Sequence, residues 1–308
     1  MLGASEPAAA GGPAAAVVVA VAAPWTCILR VKRQRPPAAE RPTVLQRSSS
    51  FAVLKPLVLG LVLIAFSVAP VSAQTADLHT LDDVLEVTKV RSILGGMPDQ
   101  FIFEFEQAQP GASIPDDVRR LAAVYFADST LYRYVLEGMR ERADGDVVPA
   151  LSEWLFSEWA AAARDAVDGY EPEKTLEEYA AGLQTDPPRQ DRVRLMAGFV
   201  QANEAGPFYV GLAEAQRDAV RSVAAALGDD DLAALPEPTD EEEREVSDYY
   251  STVALLSFLQ RYAPLSDEQV DRLTSAYESE SGRWYVRSYS ESVADAIRRA
   301  GRELAGAL

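Results

Sequence analysis

Between Leu265 and Ile297 the chain carries start and stripe signals that leave room for little except two helices. Ser266 is placed to cap a helix, with Gln269 three residues on as the return half of a capping box. Leu265 and Val270 flank that cap as a hydrophobic staple, and Asp267 and Glu268 suit the positive end of a helix dipole. Val270, Leu273 and Tyr277 then share one face. After Ser279-Glu280-Ser281 comes Gly282, and a glycine inside a helix costs about 1 kcal/mol relative to alanine. Either the chain turns there, or the missing side chain lets another backbone come close. Beyond it Tyr285, Tyr289, Val293, Ile297 and Ala300 repeat every three or four residues, which predicts a second amphipathic helix. A packing corner is the plain reading. The functional one sets Ser279 and Arg283 in a polar pocket beside the glycine.

The same period runs through residues 74–308. Thr80 caps a helix of Leu81, Val84 and Leu85 that ends near Gly95-Gly96. Phe101, Phe103 and Phe105 alternate as in a strand, but nothing nearby offers a strand partner, so a helix from Pro98 is expected. Pro115 opens a helix with Val118, Leu121 and Tyr125, continuing through Leu131 to Met139, and Asp144-Gly145-Asp146 makes a turn. One helix holds Leu151, Trp154, Leu155, Trp159 and Ala161 to Ala163. Pro172 starts the next, with Leu176, Tyr179, Ala180 and Leu183 inward. Pro187-Pro188 precedes a helix that buries Met196 and Phe199, and Gly206-Pro207 breaks it before the face from Phe208 to Leu227. Thr239 with Glu242 forms another capping box, and the wide apolar face from Val246 to Leu259 is expected at the centre of the fold. The sum is an all-α bundle of about ten amphipathic helices. Leu151 to Ala160, with Ser157, can be laid on Leu273 to Gly282, with Ser279, and Gly96 on Gly206 at a different shift. These few echoes are read as a trace of two related helical halves meeting near Tyr170 to Pro188.

Residues 51–73 have the parts of a secretory signal peptide: Arg47 and Lys55 before an apolar run from Leu57 to Val68, then Val71-Ser72-Ala73 for cleavage. The run falls short of the roughly 20 residues a spanning helix needs, so no stable membrane anchor is expected. Residues 1–50 lack any period that could build a core. They read as a disordered or mis-assigned leader, the true start lying further on, at Val44 or Leu45, or the leader being unusually long. Export to the periplasm or beyond follows. The chain has 308 residues and a net charge of −18, and the leader's charges are mostly Arg and Lys, so the exported part is more acidic still. Such a domain repels phosphate backbones and anionic lipid surfaces, which disfavours nucleic-acid partners.

Tyr277, Ser279 and Gly282 make an aromatic-x-Ser-x-x-Gly pattern behind the acidic helix start Ser266-Asp267-Glu268. This resembles the signature of a bacterial domain-of-unknown-function family, the one numbered twenty fifty-nine, over the part of the chain after the leader. The resemblance implies an exported helical protein and carries over no catalytic residue. Family members often place a second aromatic before the tyrosine and a proline after the serine, where this chain has Ala276 and Glu280.

The one cysteine, Cys27, lies in the leader and the one histidine, His79, sits at the start of the exported part, where chains usually fray. Cys–His and Ser–His–Asp catalysis and His/Cys zinc sites therefore lack parts, and no P-loop or dinucleotide fingerprint is present. Asp229-Asp230-Asp231 lacks the ligand spacing of a calcium loop and reads as a cap. No cofactor or metal is expected. Carboxylates remain, and Glu104, Glu106, Glu153 and Glu158 lie near aromatics as a glycosidase would require. Trp154 and Trp159 invite a sugar-stacking reading, but five residues on one helix turn through about 500°, leaving the rings about 140° apart. Inter-helix packing is the better reading. The leading expectation is a non-enzymatic envelope protein that holds a protein, a peptide or an apolar ligand between helices. The alternative is a carboxylate-dependent hydrolase acting on cell-wall glycan.

Overall fold

The computed structural model describes residues 79–109 and 113–308, so the segments expected to be a leader and a signal peptide, and Cys27, lie outside the described residues. In chain order the helices are α1 (Leu81–Val87), α2 (Val90–Leu94), α3 (Met97–Ala108), α4 (Asp116–Tyr125) and α5 (Asp128–Arg142). Then come α6 (Val147–Leu155), α7 (Glu158–Asp168), α8 (Leu176–Gly182), α9 (Gln190–Ala202) and α10 (Ala205–Ala226). The last are α11 (Asp230–Ala233), α12 (Asp240–Arg261), α13 (Asp267–Glu278) and α14 (Glu280–Gly306). No strand occurs among the described residues, and the expected all-α bundle is the architecture found. None of these helices is long and apolar enough to cross a membrane.

The capping signals act where the sequence places them. Thr80, Thr239 and Ser266 each close a capping box, with Asp83, Glu242 and Gln269. The breaks come more often than the stripes foretell. The first helix ends at Thr88, and Lys89 takes a left-handed conformation before α2. The expected single run from Pro115 to Met139 divides at Phe126-Ala127. That from Leu151 to Ala163 divides at Phe156-Ser157. Pro172 does not start α8; Thr175 does, through a box with Glu178. Gly206-Pro207 is not the break before α10 either. Both sit in that helix's first turn, and the break falls two residues before Gly206, at Glu204 with φ 47°. An apolar stripe survives such breaks because each short helix still turns the same residues inward.

The axis of the fold is α14, not α12. It packs against α4, α5, α6, α10 and α13. Along it Tyr285, Tyr289, Val293, Ile297, Ala300 and Leu304 are buried. Its closest neighbour is α10: a Cβ at Gly301 would stand 2.5 Å from the Cβ of Ala219, so the missing side chain sets the distance between the two backbones. Ion pairs line the outside of the same helix, Arg142 of α5 reaching both Glu291 and Asp295, and Arg298 reaching Asp218 of α10. Such partly exposed pairs are worth at most about 1 kcal/mol each, so the apolar stripe carries the packing.

Candidate functional site

The α13–α14 corner is built from the four motif residues. Ser266 starts α13 by accepting the amide of Gln269 at 3.2 Å. Tyr277, near its end, is buried, meeting the rings of Trp154 at 5.3 Å and Phe199 at 5.7 Å. The chain turns at Ser279, in an extended conformation, and α14 begins at once. Its hydroxyl donates to the carbonyl of Ala276 at 2.6 Å and accepts from the amide of Gly282 at 3.1 Å. Gly282, already inside α14, is where the end of α13 comes closest: a Cβ there would meet Ala276 O at 2.2 Å and Tyr277 Cα at 2.6 Å. The turn and the close approach, alternatives in the sequence, are thus both present, three residues apart.

Ser157 repeats this arrangement between α6 and α7. Its hydroxyl donates to the carbonyl of Trp154 at 2.5 Å and accepts from Ala160 N at 3.4 Å. The alignment of Ser157 with Ser279 therefore picks out two corners of the same local geometry. The break also corrects the geometry assumed for the tryptophans. With two helices in place of one, Trp154 and Trp159 lie 6.4 Å apart and within 21° of parallel, and Arg272 covers Trp159 at 4.3 Å. They are stacked on each other, which again leaves no side-by-side platform for a sugar. Behind them Leu155, Arg164, Phe199 and Tyr262 help enclose a cavity of about 20 Å³, room for about one water molecule.

On its other side the corner borders a groove of about 940 Å³, open to water and walled by α9, the start of α10 and α12. Glu278 and Arg283, the charged residues on either side of the turn, line it and are exposed. Arg283 thus faces a cavity, while Ser279 is used up in the cap. Val200, Pro207 and Leu255 supply apolar surface, and Glu204, Asp248 and Thr252 supply polar surface. No family model, curated protein or solved structure matches the chain. The groove must be judged on its own chemistry.

The carboxylates picked out by their aromatic neighbours part company. Glu153 and Glu158 are exposed, and Glu106 pairs with Arg119 at 2.6 Å. Glu104 is partly buried on α3, and burial pushes its carboxyl up to about 8, against the pull of Gln100, whose Nε2 donates to it at 3.1 Å, and of Arg217. The groups acting on Glu104 are thus an amide and a cation, not a second carboxylate. Sequence reasoning missed the carboxyls that do meet. Glu214 of α10 is raised first by burial and then by Glu243 of α12, to which it is hydrogen-bonded, while Arg298 and Arg217 pull it down. Nothing local marks that pair, since its members stand 29 positions apart in the chain. Among the described residues no three His, Cys, Asp or Glu side chains are grouped to hold a metal. The ring of His79 stacks on that of Phe156 at 3.6 Å.

Proposed function

We propose that this chain is a non-enzymatic binding protein of the bacterial envelope, and that the groove beside the Gly282 corner is where it holds its partner. Export rests on the signal-peptide pattern of residues 51–73. Membership of the family whose signature Tyr277, Ser279 and Gly282 resemble is part of the same proposal. The observation that carries the binding reading is the groove itself: about 940 Å³, with apolar and charged side chains interleaved. That volume is at the top of the usual range for ligand sites, about 300–1,000 Å³, yet the groove is too open to bury a small molecule on all sides. A segment of another chain suits it better. A photo-crosslinking residue at Thr252, inside the groove, should capture a protein in the intact envelope, whereas one at Glu153, on α6, should not. Equal capture from both positions, or none from either, would remove the reading.

A hydrolase acting on cell-wall glycan is the second reading, favoured by the meeting of Glu214 and Glu243. Such a hydrolase needs two carboxyls roughly 5–9.5 Å apart, one of them holding a proton to give, and the burial that raises Glu214 beside Glu243 suits it to that role. Release of soluble fragments from purified cell wall, abolished by Glu214→Gln, would replace the binding reading with this one.

A further inference from the structure

We infer that the groove takes a basic, amphipathic segment of a partner protein, its Lys or Arg side chains against Glu204, Asp248 and Glu278 and its apolar side against Pro207 and Leu255. The inference rests on the binding reading above and adds the chemistry of the partner. Three carboxylates and one guanidinium, that of Arg283, line the groove. Among the described residues none of these four is held in an ion pair, so two negative charges stand in excess. In water they cost nothing. A partner that covered Pro207 and Leu255 with apolar surface alone would take them out of water unpaired, which is strongly unfavourable. An acidic partner would add repulsion to that. Only a segment that brings its own cations lets the apolar surface be covered and the carboxylates be paired in one step. Arg283 sets a limit on this: its guanidinium opposes the partner's cations, so the groove takes fewer of them than its three carboxylates alone would.

The test uses the exported chain, residues 74–308, with a fluorescent amphipathic helical peptide having one lysine face and one leucine face, and a glutamate–leucine peptide as its counterpart. Anisotropy should report binding of the lysine peptide only, weakening with salt. Asp248→Lys with Glu278→Lys should weaken it by about tenfold or more, a change of about 1.4 kcal/mol per tenfold. Neither change should harm the fold, since Asp248 is exposed and a lysine at the end of α13 suits the helix dipole. Arg283→Glu should act in the opposite sense and tighten binding. Glu153→Lys with Glu173→Lys, exposed acids outside the groove, should leave it within about twofold. The inference is overturned if the lysine peptide fails to bind, if the glutamate peptide binds as well, or if the two double variants weaken binding equally, which would mean attraction to net charge alone. Should Thr252 still crosslink a protein while the lysine peptide fails, the binding reading stands and only the basic partner falls.

Discussion

Gly282 lies so close to Ala276 that a Cβ on the glycine would stand 2.2 Å from the alanine's carbonyl oxygen. The neighbour is backbone and cannot swing aside. Gly282→Ala should therefore destabilise by at least about 2 kcal/mol, although the same exchange in an open helix gains up to about 1 kcal/mol. Gly198→Ala supplies the contrast, because nothing stands within 4 Å of a Cβ there, midway along α9. Urea midpoints of the two variants should move in opposite directions; movement in the same direction would contradict the corner geometry.

Ser279 and Ser157 start their helices through the same pair of bonds, a hydroxyl given to a carbonyl three residues back and an amide accepted three residues ahead. Alanine at either position should cost about 1 kcal/mol. Threonine should recover most of that loss at Ser279, since it can make both bonds. Thermal unfolding of the three variants would test whether the corners are energetically alike as well as geometrically alike.

The carboxyl of Glu104 keeps its proton in the folded protein up to about pH 8, whereas the ordinary glutamate value is 4.5. Between those limits the folded state binds the extra proton, so stability is full below about pH 4.5 and falls as pH rises through about 8. Burial raises Glu214 in the same sense. Glu104→Gln should flatten the decline and leave the variant more stable than the parent at pH 9. Because repulsion in so acidic a chain also grows with pH, the decisive quantity is the difference between variant and parent. A constant difference across the range would show that Glu104 ionises normally.

Tyr289 is buried beside α10, and its hydroxyl finds no hydrogen-bond partner among the described residues. Its ring stacks between Phe208 at 5.8 Å and Tyr285 at 5.9 Å, contacts a phenylalanine would keep. Tyr289→Phe should hold or raise stability, by up to about 1 kcal/mol, because it removes a buried polar group without leaving a cavity. A clear loss in denaturant would mean that the hydroxyl is bonded in solution.

Helical period and capping chemistry are local properties, so the sequence alone determined the class of fold, the inward faces and the starts at Thr80, Thr239 and Ser266. It also marked Gly282 as the place where two helices meet, because a glycine between two apolar stripes is a local signal, whereas the cap at Ser279 appears only in the structure. The tertiary structure decided the rest. Lys89 and Glu204 adopt left-handed conformations that cost about 1–2 kcal/mol in isolation, and only the packing of the helices on either side compensates for them. Hence neither break could be read from residues that carry no turn signal. The near-parallel tryptophans follow from such a break, and the meeting of Glu214 with Glu243 and the groove around Arg283 follow from helices distant in sequence. Their geometry depends on where whole helices come to rest, which is set by the close crossing of α14 on α10 at Gly301 and Ala219 and by the turn at Ser279.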